Sequence, residues 1–337
     1  MASSATAEMA LSTVGCAVAA PTAYPANRRT RARPRAPAAT RIGSQRCKAR
    51  DNVLMPGVSQ ALLEFAHNHR AEPGPGIEVF VTARYQITLQ PDFPIPGPNS
   101  VSFIRCRPEE ADEVIREARA TVAPYRLPVM WILDPGTEPP DFAEHLANHG
   151  ILPNPHNFDN AEMVLPIAAT VEAPDIPGLE FLDALADLAT FQKMDAVAAE
   201  AFASVPFPSP LQGTGPGRGE REKVTPEIAM LERRRLNFSA AGNRRFLLAT
   251  IDGEPAGSSN VALFPPAAAT VNGGAVRTKF RGRGIYRAMV AERLKIARDA
   301  GVDGLCVWGG DMSRPILSKL GFEKVGWRRF YLDTSAS

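Results

Sequence analysis

The chain has 337 residues, of which 45% are hydrophobic and 22% charged, a composition that excludes a globally disordered protein. No stretch approaches 18 uninterrupted apolar residues, so we predict neither a transmembrane helix nor a membrane partner. The net charge is +2, but the first 50 residues contain nine Lys and Arg against one acid, which leaves the remainder mildly acidic and argues against nucleic acid as its main partner.

Residues 1–50 are rich in Ala, Arg and Pro and lack hydrophobic periodicity, which predicts a disordered extension. Its poverty in acids also fits an organellar transit peptide, and an upstream extension without function, preceding a start near Met55, is the alternative. The four cysteines are far apart and form no CxxC pair, which favours free thiols in a reducing compartment. We therefore expect a cytoplasmic protein, or an organellar one if residues 1–50 are a transit peptide.

The first predicted unit spans residues 51–170. Helices are predicted at 58–69, from 108 onward and at 141–149, and strands at 77–89, 101–106, 128–133 and 162–167. Proline at position 108 suits the first turn of a helix. Gly150 is placed to end the short helix predicted at 141–149.

The second predicted unit spans residues 176–333. Strands are predicted at 179–181, 245–251, 256–264, 270–278, 305–308 and 325–332, and helices at 185–202, 226–236, from 285 onward and at 313–320. The glycine-rich stretch 213–219 predicts a flexible loop, either a substrate lid or an inert linker. The order helix, strand, short helix, glycine, strand recurs at 108–167 and 285–332, which indicates a degenerate internal duplication.

The sequence Arg281-Gly282-Arg283-Gly284 joins a predicted strand to a predicted helix. The first N–H groups of a helix have no internal partners, and the helix dipole places partial positive charge there. Glycines let the backbone approach a pyrophosphate closely, and arginines add charge-assisted contacts to phosphate oxygens. The loop therefore predicts an anion site, although such a turn alone is weak evidence.

The flanks of this loop resemble the C-terminal half of the GNAT superfamily of acyl-CoA N-acyltransferases. The family's pyrophosphate signature is Gln/Arg-x-x-Gly-x-Gly/Ala, and here the chain reads Arg281 to Tyr286, followed by the long helix and by Leu320-Gly321-Phe322. The resemblance covers 179–332 well and 51–167 weakly. It implies an α/β (α+β) fold with a mixed, mostly antiparallel sheet flanked by helices, in two tandem GNAT-like units, the first of them degenerate.

The resemblance also implies a function and a site. The expected activity is transfer of an acetyl group from acetyl-CoA to a primary amine by direct attack in a ternary complex, without a metal and by a monomer or homodimer. The expected cofactor-binding residues are Val276, Arg281, Gly282, Arg283, Gly284, Ile285 and Tyr286. Backbone N–H groups near Val276 would stabilise the oxyanion.

Two positions depart from the family pattern. Tyr286 stands where the family usually has Gly or Ala, so its ring must turn away from the diphosphate or line the acceptor side. Leu317 stands where many relatives carry a tyrosine that protonates the departing thiolate. A thiol with a pKa near 8.5 is a tolerable leaving group, so catalysis by positioning is an alternative.

The general base is not fixed by the sequence. The second unit contains no histidine, which leaves the carboxylates Glu200, Glu227 and Asp311, and we favour Asp311 because it follows the strand that ends at Trp308. A solvated surface role is the simpler interpretation of each. The pairs His67/His69 and His145/His149 could suggest a metal, but no accompanying motif supports one.

Two other functions compete with acetyl transfer. A non-catalytic acyl-CoA-binding sensor or scaffold would explain the missing tyrosine at position 317. A nucleic-acid-binding protein acting through the arginines of residues 28–50 would show steeply salt-dependent affinity.

Overall fold

The structure is a computed structural model that describes residues 57–155, 157–202 and 225–335, which all belong to one compact unit. The predicted extension 1–50 and the glycine-rich loop 213–219 lie outside the described residues.

The first half of the described chain runs from residue 57 to residue 166. Its helices are α1 (Gln60–Asn68), α2 (Ala111–Val122) and α3 (Phe142–Asn148), and its strands are β1 (Glu78–Val81), β2 (Gln86–Leu89), β3 (Ser100–Ser102), β4 (Val129–Leu133), β5 (Leu152–Pro153) and β6 (Asp159–Pro166). The Oγ of Ser59 accepts a hydrogen bond from the N–H of Leu62 at 3.1 Å and so caps α1.

The second half runs from residue 179 to residue 333. Its helices are α4 (Leu188–Phe202), α5 (Pro226–Ala241), α6 (Ile285–Asp299) and α7 (Arg314–Lys319), and its strands are β7 (Leu179–Asp183), β8 (Arg244–Ile251), β9 (Glu254–Phe264), β10 (Ala268–Val276), β11 (Gly304–Gly309) and β12 (Glu323–Asp333). Thr225 caps α5 through its Oγ1, Pro226 occupies the first turn, and Gly242 ends the helix with φ +71°.

Two strand predictions were wrong in detail. The single strand expected at 77–89 is a hairpin of β1 and β2, because Thr82 holds a turn by accepting hydrogen bonds from the N–H groups of Arg84 and Tyr85. The strand expected at 101–106 ends at Ser102, because Phe103 adopts a φ of +54°, which extended pairing does not allow.

The twelve strands form one sheet in the order β1-β2-β3-β4-β12-β6-β11-β10-β9-β8-β7, with β5 paired to β12. Two pairs are parallel, β3 with β4 and β10 with β11, and the other pairs are antiparallel. The mixed, mostly antiparallel sheet flanked by helices is the predicted fold class.

The final strand of each half lies in the middle of this sheet. β6 pairs with β11, with Val164 opposite Cys306, while β12 inserts between β4 and β6, with Tyr331 opposite Trp131. Each half also carries its parallel pair in the corresponding place, so the strand order is nearly symmetric about the β12–β6 junction. We keep 51–170 and 176–333 as the proposed limits of two duplicated units, and not of two separable domains.

The helices divide between the two faces of the sheet. On one, the α6 face, residues of α6 and α7 pack against β6, β10 and β11; these include Met163, Val271, Val290, Leu294, Leu305 and Leu317. On the other, the α1 face, Leu62 and Ala66 of α1 pack against Val164 and Cys306. Helices α4 and α5 share a further cluster with Phe246 of β8.

A chain of charged side chains, buried at its centre, crosses the junction between the halves. Arg328 of β12 contacts Asp134 at 3.3 Å and Glu162 of β6 at 2.7 Å. Arg105 contacts the other oxygen of Asp134 at 2.9 Å, and the Nδ1 of His67 lies 2.9 Å from Glu162. The final strands of the two halves, β6 and β12, are therefore joined by charged side chains as well as by backbone hydrogen bonds.

Candidate active site

Strands β10 and β11 separate at the centre of the second half. Their parallel pairing covers only Ala269 with Leu305 and Thr270 with Cys306, although both strands continue beyond it. β10 also has a bulge between Asn272 and Ala275 relative to β9. Backbone groups of β10 that face this gap are consequently free of a neighbouring strand and can bind a ligand.

A glycine loop follows the gap and leads into α6. Gly282 has φ +79° and Gly284 has φ +84°, both in the left-handed region that favours glycine. Among the described residues, no backbone carbonyl outside the helix accepts from the N–H groups of residues 282–287. These donors and the N-terminal end of the 15-residue helix α6 form an anion-binding arrangement.

Two exposed arginines add charge to this loop. The Nε of Arg281 donates to the carbonyl oxygen of Val276 at 3.2 Å, and the guanidinium of Arg283 lies 5.3 Å from the ring centre of Phe280. Within the described part of the chain, neither arginine forms an ion pair, so both remain available to phosphate oxygens.

Tyr286 lies on the α6 face, and its ring packs on the bulge of β10. A Cβ on Gly274 would lie 3.0 Å from Cε2 of Tyr286, so the glycine makes room for the ring. Tyr286 interacts with Arg293, whose pKa is lowered by burial. The Nε of Arg293 donates to the carbonyl oxygen of Met289 at 3.0 Å. The bulk of Tyr286 is thus turned toward α6 and β10.

Leu317 is 1% exposed and belongs to the core between α7 and the sheet. A Cβ on Gly309 of β11 would lie 3.1 Å from Cδ1 of Leu317. The side chain at this position therefore fills space and supplies no proton.

A cavity of about 900 Å³ lies on the α1 face and extends across both halves. It reaches the gap at Asn272, Gly273 and Trp308, and reaches Arg244 and His69 at another part of its wall. Much of the lining is aromatic and includes Phe65, Phe238, Phe246, Phe264 and Phe330. The loop 281–286 lies outside the lining, so the anion-binding loop and the cavity approach the gap separately.

Within the described ranges of the chain, five buried polar atoms of cavity-lining residues have no hydrogen-bond partner. They are Oε1 of Gln86, Nε of Arg234, Oγ of Ser258, Oγ of Ser259 and Nε of Arg328. A buried polar atom without a partner costs about 1–3 kcal/mol. Ser258 and Ser259 are neighbours in β9 and point to opposite faces of the sheet, so part of this set faces the cavity, where polar groups of a ligand or water can supply the missing partners.

Two titratable groups of the cavity wall were not predicted. His69 lies between Phe65 and Phe264, with ring centres 4.2 and 4.3 Å away. Burial lowers the pKa of His69, Glu72 opposes that shift, and Arg244 adds to it. Asp195 of α4 forms an ion pair with Arg234.

The predicted base candidates lie elsewhere. Asp311 is 76% exposed, pairs with Arg314 at 2.9 Å and does not line the cavity. Glu200 pairs with Arg277 at 2.6 Å, and Glu227 bonds to the hydroxyl of its helix cap, Thr225.

Three of the four histidines in the two predicted pairs contact carboxylates. His145 and His149 both contact Asp112, at 2.9 and 3.2 Å, while His67 contacts Glu162. Across the ranges that the structure describes, no group of three or more His, Cys, Asp or Glu side chains could hold a metal ion.

Comparison with known proteins gives one family match. Residues 218–322 match the model of the acetyltransferase (GNAT) family. The comparison with curated protein sequences gives no match. None of the helices in the described ranges is long and apolar enough to cross a membrane.

Two solved structures are similar in fold. One is a GCN5-related N-acetyltransferase from Kribbella flavida, with 16% identity, a TM-score of 0.52, and coverage of 77% of this chain and 90% of that chain. The other is a functionally unknown conserved protein from Staphylococcus epidermidis, with 11% identity, a TM-score of 0.51, and coverage of 77% and 94%. The predicted fold class is confirmed.

Proposed function

Residues 218–322 match the acetyltransferase (GNAT) family model, and from that match we propose that the protein transfers an acetyl group from acetyl-CoA to a primary amine. The observation that carries this proposal is the gap between β10 and β11, which has the glycine loop at one end and the cavity on the α1 face.

The donor binds through the loop and the gap in this proposal. The pyrophosphate accepts hydrogen bonds from the N–H groups at the start of α6 and interacts with Arg281 and Arg283. The pantetheine arm follows β10 past Val276, and free backbone N–H groups of that strand stabilise the oxyanion. Gly282, Gly284, Ile285 and Tyr286 supply the backbone of the loop.

The chemistry is direct attack. The amine nitrogen forms a bond to the thioester carbon, the tetrahedral intermediate collapses, and the carbon–sulfur bond breaks to release the thiolate, which takes up a proton. Cys306 lines the cavity, but burial raises the pKa of its thiol, which disfavours an acyl-enzyme. With leucine at position 317, departure of the thiolate depends on its own modest basicity and on positioning.

The amine must lose a proton, and the carboxylate that receives it is a proposal. Asp311 stays our prediction from the sequence, and Asp195 is a second candidate because it lines the cavity on a helix next to β10. Asp311→Asn and Asp195→Asn separate the two, since the variant that lacks the base should lower kcat while acetyl-CoA binding persists.

Calorimetric titration of acetyl-CoA into the full chain tests the donor site. We expect micromolar binding that weakens at least tenfold in Arg281→Ala/Arg283→Ala, and no change in Lys295→Ala, which removes an exposed charge farther along α6. A substitution of Gly284, such as Gly284→Glu, is a poorer test because it would strain the loop itself. A Cβ on Gly284 would lie 2.9 Å from Pro174, and the residue has a φ of +84°. No binding by the folded wild-type chain would overturn the proposal.

The buried Leu317 favours one alternative, a non-catalytic acyl-CoA-binding sensor or scaffold. It predicts the same calorimetric result without release of free CoA thiol over a broad panel of primary amines. Release of thiol together with an acetylated amine, identified by mass spectrometry, supports the enzyme. The cytoplasmic location and the monomeric or dimeric state stay predictions.

A further inference from the structure

Arg244 is a cavity-lining arginine whose side chain has no charged partner in the described part of the chain. It begins β8 and lies on the same face of that strand as Phe246, with its guanidinium 5.4 Å from the ring centre of Phe238. Within the described residues its guanidinium makes no hydrogen bond and no ion pair. The two other arginines of the lining differ, because Arg234 pairs with Asp195 and Arg328 with two carboxylates.

The surroundings of Arg244 leave its charge uncompensated. Burial alone lowers the pKa of its guanidinium, and no carboxylate raises it. Glu72 also lines the cavity, but it is exposed and its charge acts on His69. A partly buried guanidinium without a counter-ion is costly, and an anion that enters the cavity would offset that cost.

The register of the sheet gives the distance from Arg244 to the gap. Thr270 of β10 lies opposite Ala262 of β9, which lies opposite Arg244 of β8. With about 4.8 Å between neighbouring strands, the backbone of Arg244 is about 10 Å from the backbone of β10, which borders the gap. Phe238 and Phe246 are stacked with ring centres 4.6 Å apart beside this part of the cavity.

Resting on the proposed function, we propose that Arg244 binds a carboxylate of the acceptor, at the end of the acceptor remote from its reacting amine. The acceptor is then an elongated amino acid with an aromatic or apolar body between its two ends. The guanidinium would hold the carboxylate by charge-assisted hydrogen bonds.

The test uses matched probes and the full chain. 4-(Aminomethyl)phenylalkanoates of increasing chain length and their carboxamides are compared as acceptors with acetyl-CoA, and the corresponding 4-methylphenylalkanoates, which cannot be acetylated, are titrated by calorimetry. We expect a ten- to hundredfold preference for the carboxylates over their carboxamides, largest at one chain length. Arg244→Leu should abolish this preference, and Arg244→Lys should retain part of it.

Arg245→Leu is the matched control, because Arg245 is exposed, next in sequence, and does not line the cavity. Equal binding of carboxylate and carboxamide, or an unchanged preference in Arg244→Leu, would overturn the proposal. Because the methyl probes need no turnover, Arg244-dependent carboxylate binding without acetylation would support the anion site and overturn acetyl transfer. Equal acetylation of the carboxylates and their carboxamides would support acetyl transfer and overturn the anion site at Arg244.

Discussion

The Nη2 of Arg328 donates a hydrogen bond to Oε1 of Glu162 at 2.7 Å, and the side chains are only 3% and 1% exposed. The two residues belong to β12 and β6, the final strands of the two halves. We predict that Glu162→Gln lowers the free energy of unfolding by about 3 kcal/mol or more, because it leaves a buried guanidinium undercompensated. Chemical denaturation measures this loss.

The control for Glu162 is Glu109→Gln, which removes a carboxylate that is 63% exposed and should change stability by less than 1 kcal/mol. Equal stabilities of the two variants would show that the buried pair contributes nothing beyond a surface ion pair.

The pH dependence of stability can be traced to Asp333. Burial raises the pKa of this carboxyl, but hydrogen bonds from Arg119 and Ser335 outweigh burial and lower it overall. The Nε of Arg119 donates to Oδ2 at 2.8 Å, and its Nη2 donates to Oδ1 at 3.1 Å. The stabilisation is therefore complete above the unfolded value of about 3.9 and is lost as pH falls through the lower folded pKa.

Asp333→Asn should destabilise the protein by about 2 kcal/mol at pH 7, and the difference from wild type should shrink below about pH 4. Denaturation curves at several pH values measure both effects. Asp159→Asn, which alters a half-exposed carboxylate, should show little loss at either pH. If the difference in unfolding free energy between wild type and Asp333→Asn grew on acidification, it would contradict the role given to Asp333.

His69 should titrate below the ordinary histidine value of about 6.5, because burial and the charge of Arg244 disfavour its protonated form. The lowered pKa makes the folded state less stable as pH falls below 6.5, where the unfolded chain binds the proton more readily. NMR titration of the ring should show a higher pKa in Arg244→Leu than in wild type. An unchanged pKa in that variant, matching Arg245→Leu, would exclude the electrostatic contact.

A tyrosine at position 317 should not act as a general acid here. The side chain of Leu317 fills the core above Gly309, so Leu317→Tyr should cost about 1–3 kcal/mol by overpacking and should not raise kcat. Thermal unfolding and steady-state kinetics measure the two effects, with Leu317→Met as the volume-conserving control. A faster enzyme of unchanged stability would mean that the site accommodates the phenol.

We expect one acetyl-CoA per chain. In the first half the turn before α2 already contains an anion, because Glu110 accepts from the N–H of Arg107 at 2.9 Å, and Arg107 lowers the pKa of that carboxyl to about 2. Pro108 removes another donor. Backbone hydrogen bonds of Glu138 to Ile104 and Cys106 also close the space beyond β3 and β4.

Calorimetry should therefore give a stoichiometry near one, and Glu110→Gln should leave it there. Two equivalents bound by the wild-type chain would mean that the first half retains a working donor site.

Local patterns were sufficient for much of the fold. Gly150 and Gly321 follow the two short helices in corresponding places, and the strong periodicity after Gly284 predicted α6. The exchange of β6 and β12 depends on pairing between residues far apart in sequence, which periodicity does not encode. The hairpin of β1 and β2 was missed because its turn contains no glycine and is held by Thr82.

Only part of the site could be predicted, again because sequence patterns do not encode contacts between residues far apart in the chain. The anion-binding loop is a contiguous motif, so Arg281 to Tyr286 could be read directly. His69 was set aside because it lies in the first half, yet α1 packs across the central strands and brings it into the cavity. Nothing in the sequence pointed to Arg244 as a site residue, because a single arginine at the start of a strand does not show whether an acidic partner lies beside it in the fold.

The position of β12 constrains how the chain can fold during synthesis. β4 and β6 leave the ribosome long before Glu323–Asp333, the strand that separates them in the finished sheet. Until that strand emerges, their facing edges are open and Glu162 lacks Arg328. The nascent first half therefore cannot reach its final pairing alone, and an interrupted translation product would expose strand edges of the kind that chaperones shield and that aggregate when unshielded.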